Sequence, residues 1–561
     1  MRQVVRTRLA LLLGLVASTL APGVAHAGGF EYAGAGTRGI ARGGAFVASA
    51  NDPMAVMLNP ANLAGPVQGL QLHVSVAGLF NRVCFDRDGT YTNDPTTGVD
   101  TRVFLADVDT QSIYGTTRDY SGTSFTQVCN GQTVSPVPEV ALSWRINDKI
   151  GVGFGLVAPT APGFSQYGSI KDGRAGTVAS APGVSPLGYL PASSRYMLIT
   201  ANLLIVYPQF SIGYQVHPRF RLGAAFAPGI SQVSFSKLTQ PYAGEQLPYD
   251  IYTKIHASDW FVPRATASFQ ATPVDGFDIA GFFTYQGDIN ASGDVTLQGM
   301  YNVDPSNYLP GDEPLLKVNT AHMNSKQPFQ MGLAFRYARA LSDSVTRVRR
   351  FNDSLENNRW DLELDLGYEL NSRVDQFNIR LHDGGDVPTP ESPWPQLTIA
   401  PGVTAGVPPV PAPLRHNWKN QFTARLGGDY NIIPGRFAWS GGFSYETNGV
   451  QKGYAQLDFQ PFQRVGLHTG FLVRVGRTDL SFAAAHYFQQ TVTQNSLAAC
   501  PQVAADGTSC ATGVPGGGAD GYGVYQTIAS PSIAGPPTIV NSGRIQSGMT
   551  IVSLGMSYHF R

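Results

Sequence analysis

The sequence predicts an all-β membrane protein, an antiparallel outer-membrane β-barrel, on three observations. The chain opens like an export signal, no later segment can cross a bilayer as a helix, and the rest divides into short alternating stretches whose connections are sorted by length. Of 561 residues, 63 are glycine, 11% are aromatic and only 14% are charged. That profile suits many short strands better than helices.

The first 27 residues, MRQVVRTRLALLLGLVASTLAPGVAHA, carry Arg2, Arg6 and Arg8, then an apolar run from Leu9, then Ala25-His26-Ala27. A basic start, a short apolar middle and an A-x-A end describe a signal peptide over 1–27, cleaved after Ala27. The mature chain then holds 36 basic and 39 acidic residues, which gives no reason to expect nucleic acid as a partner. The best later helix candidate, Met197 to Tyr207, is about half the roughly twenty residues a membrane helix needs, and it stops at Pro208. An exported chain that enters a membrane without such a helix must do so as a closed barrel.

Residues 28–66 precede the first alternating stretch. Asn51-Asp-Pro-Met-Ala-Val-Met-Leu-Asn-Pro-Ala-Asn-Leu-Ala-Gly65 brackets a short apolar run between two X-Pro steps. Residues before proline are pushed toward extended or turn geometry, and asparagine side chains cap nearby backbone. The stretch reads as a compact insert with a short helical turn over Met54 to Leu58.

Residues 67–561 carry fourteen alternating segments: 69–80, 136–147, 149–158, 203–216, 218–233, 257–272, 276–288, 327–341, 359–371, 416–431, 435–446, 463–474, 477–490 and 547–561. In the ninth, Trp360, Leu362, Leu364, Leu366, Tyr368 and Leu370 alternate with Asp361, Glu363, Asp365, Gly367 and Glu369. Period two places these sets on opposite faces of a sheet. The last segment ends in Tyr558-His-Phe560, an aromatic close to the terminus, as in a barrel's closing strand; Arg561 departs from that pattern. Connections after even segments are mostly tight, such as Asn147-Asp148 and His217-Pro218, while those after odd segments are long, such as 81–135, 159–202 and 491–546. Short turns at one end and long loops at the other are the asymmetry of an outer-membrane barrel. The joint near 342–358 is long for the short-turn end.

Four cysteines fall in two long loops, Cys84 with Cys129 and Cys500 with Cys510. Three pairings are possible, and loop locality favours Cys84–Cys129 and Cys500–Cys510 in an oxidising compartment. The spacing and the scattered histidines offer no metal site, and no cofactor is expected. Gly34-Ala-Gly-Thr-Arg-Gly39 matches G-x-G-x-x-G but lacks the preceding strand that a dinucleotide fold requires. No nucleophile motif or paired catalytic carboxylates stand out, so the chain is not expected to be an enzyme.

The N-terminal run Gly28-Gly-Phe30, the Gly- and Arg-containing stretch to Phe46 and Asn59-Pro60-Ala61 with Leu63 resemble the start of the FadL-type family of transporters for long-chain fatty acids and hydrocarbons. Asn51-Asp52-Pro53 stands where an acidic pair is usual. Later stretches are also similar to family motifs: Ile150 to Gly163, Tyr207 to Tyr214 with Phe220-Arg-Leu-Gly223, and Asn417 to Tyr430. The resemblance implies a fourteen-stranded barrel plugged by an N-terminal hatch over 28–66. It also implies uptake of hydrophobic molecules, foremost long-chain fatty acids, captured at outer loops, passed beyond the hatch and released sideways at a kink in the third strand.

Pro159, Pro162 and Gly163 are the kink candidates, since proline donates no ladder hydrogen bond and glycine tolerates unusual backbone angles; the strand could equally end there. A fatty-acid carboxylate needs a cation. Arg195 and Arg373 stand near the outer rim without obvious acidic neighbours, and Arg264 faces the lumen by parity, as do Arg219 and Arg221. Lys419 and Arg425 are expected to neutralise Asp361, Glu363 and Asp365 across the ninth and tenth segments. The partners expected are a hydrophobic small molecule and outer-membrane lipid, with the protein a monomer. The alternative is an outer-membrane binding or structural protein, adhesin-like, that uses its disulfide-tied loops.

Overall fold

The computed structural model describes residues 36–65, 69–91, 123–131, 134–170, 176–179, 189–239, 250–299, 316–342, 353–374, 376–385, 388–400, 403–407, 414–451, 453–494 and 542–560. The expected signal peptide, Gly28–Gly29–Phe30 and the Cys500–Cys510 pair lie outside these residues.

Fourteen antiparallel strands close into one barrel. In chain order they are β1 Gly69–Arg87, β2 Ser135–Arg145, β3 Ile150–Gln166, β4 Thr200–His217, β5 Phe220–Thr239, β6 Ile251–Val274, β7 Phe277–Gln286, β8 Gln330–Ala340, β9 Asn358–Glu369, β10 Gln421–Ile433, β11 Phe437–Glu446, β12 Arg464–Val475, β13 Thr478–Gln489 and β14 Gly543–His559. Each pairs with its neighbour in sequence, and β1 closes the ring on β14 from Gln71↔His559 to Arg87↔Gly543. Closure gives every strand a partner on both sides over at least part of its length, as a sheet in lipid requires.

The period-two pattern sorts the faces. Along β9, Trp360, Leu362, Leu364 and Tyr368 are exposed outside while Asp361, Glu363 and Asp365 are buried inside. Phe210, Leu222, Phe226, Phe443, Leu467 and Leu554 extend the outer apolar belt. Polar groups inward and apolar groups outward invert a soluble fold and match a barrel set in lipid.

Two differences from the expected segments carry weight. Several strands run well past the belt: β6 has 24 residues and β5 has 20. The connections expected as loops at 289–326 and 372–415 contain further strands. Ile289–Gly299 pairs with the upper half of β6 and with Leu316–Ser325, which in turn pairs with Gln376–Arg380. Ile289, Ala291, Val295 and Leu297 point into the core, so the alternation that predicts them stands in the sequence. The long joint before β9 holds a helical turn, Ser354–Asn357, whose amino end is capped by Asp353.

Inside the barrel lie helix α1 (Gly36–Ala41), helix α2 (Ala55–Leu58) and a 3₁₀ turn over Pro60–Ala64. Helix α1 packs on β11–β14 and β1, and the 3₁₀ turn packs on β2–β6, so the insert touches the wall on both sides. It sits toward the end with the short turns.

Candidate functional site

The insert is held first by charge. Arg42 is wholly buried. Its Nη1 lies 2.8 Å from Asp361 and 2.9 Å from Asp429, and its Nη2 lies 3.3 Å from Glu363. Burial pulls its pKa down, but Asp361, Asp429 and Glu363 outweigh that and hold it above the ordinary value. The carboxylates also accept backbone N–H groups of the turn that follows. Phe46 and Val47 donate to Asp365 at 3.0 and 3.1 Å, and Ala48 and Ser49 donate to Glu363 at 2.6 and 3.1 Å. A turn with its amides aimed one way is a ready anion site, here filled by wall carboxylates.

The insert is held second by shape. A Cβ on Gly151 would stand 1.9 Å from the Leu63 carbonyl oxygen, one on Gly213 2.5 Å from that of Pro60, and one on Gly223 2.0 Å from the Ala61 nitrogen. The missing side chains of β3, β4 and β5 therefore form the recess that takes the Asn59-Pro60-Ala61-x-Leu63 turn. Asn59 Oδ1 accepts from the Ala61 N–H at 3.2 Å, and its Nδ2 donates to the Val47 carbonyl at 3.1 Å. Pro60 opens the turn, where a missing N–H costs nothing. Leu63 packs with Phe46 and Val56.

Above the insert the lumen changes character. A cleft of about 510 Å³, counted to its open mouth, is lined by Leu203, Val233, Ile255, Met323, Phe377 and Phe459 among others. The same buried cluster continues inward through Ile205, Tyr207 and Val262 to Val157, Ala141 and Met54 of the insert. One apolar column thus joins the outer cleft to the insert. Its polar corner is Asp458, whose Oδ2 lies 2.8 Å from His416 Nε2. The His416 ring stands 4.6 Å from Phe377 and 5.3 Å from Trp418.

The barrel wall is interrupted beside this column. β2 and β3 pair only from Val140↔Leu156 to Arg145↔Gly151. Beyond Leu156, β3 continues to Gln166 on β4 alone, with register shifts at Val157/Thr160 and Thr160/Gly163. β2 continues on β1 alone, through Pro138 and Pro136. A proline keeps its place in a ladder only where its nitrogen faces away from the paired strand, so the β2 margin of the break lacks two N–H donors.

Solved structures share the fold of this chain over nearly its whole length. The crystal structure of a Pseudomonas aeruginosa FadL homologue matches with a TM-score of 0.60 at 15% identity, over 95% of this chain and 100% of that one. The fold is that of the FadL-type transporters. The Ralstonia pickettii toluene transporter TbuX matches at TM-score 0.51 and 12% identity, and the P. putida toluene transporter TodX at 0.54 and 11%, each over 94% of this chain and 99% of the other. No family model and no curated protein matches the sequence.

On this FadL-type fold the three arginines named from the sequence fall in three settings. Arg195 is buried, not on an open rim, with Nε 3.4 Å from Asp250 and Nη2 2.9 Å from the Tyr196 hydroxyl. Arg373 does have acidic company: it stacks 3.9 Å over Phe329 and lies 3.7 Å from Asp288. Chain distance hides both neighbours, since Asp250 arrives just before β6 and Asp288 just after β7. Arg264 faces the lumen, 5.2 Å over the Tyr207 ring and 3.4 Å from Gln330 Oε1. Arg219 turns out of the lumen to Asp275 at 2.9 Å.

The expected cross-strand neutralisation of β9 is found in part, since Arg425 stands opposite Asp365 in the ladder; other cations take the rest. Arg42 and Arg336 take Asp361 at 2.8 and 2.6 Å, while Arg425 lies 4.0 Å from Glu446. Parity could not reveal Arg42, which comes from the insert. Pro159, Pro162 and Gly163 lie on the shifted stretch of β3, where the strand continues instead of ending. Cys84 and Cys129 are joined across one rung of the sheet, Cα atoms 3.9 Å apart. Among the described residues no cluster of metal-ligating side chains occurs.

Proposed function

We propose that this barrel is a non-catalytic, monomeric outer-membrane channel for hydrophobic compounds, with long-chain fatty acids as its principal cargo. The observation that carries this reading is the apolar column from the outer cleft to the break between β2 and β3. Apolar cargo leaves water for such a surface at about 25 cal/mol per Å² buried. The insert over Gly36–Ala64 acts as the hatch that closes the route toward the short-turn end. Cargo then leaves sideways where β3, at Pro159, Pro162 and Gly163, parts from β2. Arg264 serves as the carboxylate's station on the way, because it faces the lumen beside Tyr207 of the column. The similar structures named for toluene transport support hydrophobic cargo in general, and the lumen arginine supports a fatty acid in particular.

The test is uptake of labelled oleate and labelled toluene into cells whose only channel of this kind is the wild type or the Ile205→Glu variant. A carboxylate in the column's wall should abolish uptake of both, with the barrel still assembled by its heat-dependent gel mobility. Undiminished uptake would sink the route. Arg264→Gln should weaken oleate uptake several-fold and leave toluene unchanged; equal loss of both would remove Arg264 as a carboxylate site.

A further inference from the structure

The largest departure from alternation lies on the outside of β6. Trp260 is 71% exposed and Phe261 59% exposed, although adjacent strand residues ordinarily face opposite ways. Between Ser231↔Asp259 and Gly229↔Val262, β5 contributes only Ile230 while β6 contributes both Trp260 and Phe261. This one-against-two bulge switches the inward parity of β6 from Thr253, Ile255 and Ala257 to Val262, Arg264 and Thr266. It is buttressed, since Asp259 accepts the Phe261 N–H at 2.9 Å and the Asn290 N–H at 2.6 Å. One step below, Pro228 and Pro263 stand opposite each other, so neither strand has an amide N–H there. The bulge is thus anchored and built to turn two aromatic rings outward together.

Its level is marked by its neighbours. Below it, the outward residues of β6 are Pro263, Ala265, Ala267, Phe269 and Ala271, continuous with the lipid-facing belt. Above it they are Ser258, His256 and Lys254. β5 changes over at the same height, from Leu222, Ala224 and Phe226 to Gln232 and Ser234. The bulge stands at the long-connection end, which in an outer-membrane barrel faces outward.

We propose that Trp260 and Phe261 form a lipid-binding wedge seated at the headgroup–acyl boundary of the outer leaflet. Indole and phenyl rings partition to that boundary, and a buttressed pair presents more apolar area than one alternating position allows. The wedge fixes how deeply the β5–β6 wall sits, holding Lys254 and His256, and with them the outer cleft, just above the lipid.

The test uses the full barrel reconstituted in phosphatidylcholine vesicles brominated either near the carbonyl or near the chain end. The difference in tryptophan emission between wild type and Trp260→Phe reports Trp260 alone. That signal should lose most of its intensity with the shallow bromines and little with the deep ones. A Trp260 signal quenched by aqueous iodide and by neither lipid overturns the proposal. A second measurement needs no variant: a photoactivated carbene carried in the acyl chains should label Trp260 and Phe261 of the wild-type barrel, whereas labelling that stops at Pro263 overturns the proposal.

Discussion

On one side of the lumen β9 and β10 hold residues 42–49 by charge; on the other, β3, β4 and β5 hold residues 59–64 by shape. The charged wall works through side chains that reach inward: Asp361, Glu363, Asp365 and Asp429 meet one guanidinium and four backbone amides. The glycine wall works through side chains that are absent, a device the charged side adds at Gly427 and Gly442, where a Cβ would stand 1.9 and 2.2 Å from the Arg42 carbonyl group. The difference is one of tolerance. A carboxylate contact can lengthen or take water, whereas a backbone lying within about 2 Å of a would-be Cβ has nowhere to go.

The largest effect should therefore come from the quieter wall. Gly223→Val places new carbons against the Ala61 backbone and should drive the turn out of its recess. The barrel should still assemble, because outward positions of β5 are untouched. The N-terminal segment should become cleavable by added protease, and ion conductance through the reconstituted barrel should rise. Gly223→Ala should act in the same direction. A protease-resistant, closed lumen in both variants would break the shape-based account.

The charged wall should yield next. Arg42→Met takes from Glu363 its buried ion-pair partner and leaves Asp361 to Arg336 and Asp429 to Arg38; removing one member of such a group costs about 3–5 kcal/mol. The loss should appear as faster hydrogen exchange at the amides of Phe46 to Ser49, little altered by salt because buried pairs are weakly screened. Adding Asp361→Asn and Glu363→Gln should recover part of the protection. Failure of that rescue would mean that the amide contacts, not the ion pairs, hold the turn.

These two walls were unequally legible in the sequence. The barrel is readable from alternation because each strand's two faces meet different media, and the acids of β9 declare themselves as inward by parity. Their partner does not, since Arg42 lies more than three hundred residues away and belongs to no strand. The glycines of β3, β4 and β5 look like ordinary barrel glycines until the turn they receive is in place. Arg195 shows the same limit from the other direction. Its position before β4 suggested an open rim, yet Asp250 arrives from the far end of another connection and buries it. The strand Ile289–Gly299 is a different matter: its alternation is present in the sequence but sits among the polar residues of a presumed loop.

The smallest single effect, and the sharpest test of whether the walls act together, belongs to Asn59. Its side chain caps the Pro60–Ala64 turn on the glycine side, and the loss of such a cap costs about 1 kcal/mol. It also donates to the carbonyl of Val47, whose own N–H is held by Asp365 on the charged side. Asn62 donates to the same carbonyl at 3.2 Å. Two asparagines therefore tie the shape-held turn to the charge-held one, and the insert should move as a unit. Asn59→Ala alone should raise exchange slightly at Ala61 and at Val47. Combined with Arg42→Met, the two losses should depart from additivity by at least about 0.5 kcal/mol, as residues joined in one hydrogen-bond network do. Strict additivity would mean that each wall releases its own half independently, so that the glycine recess could keep its turn after the charged side had let go.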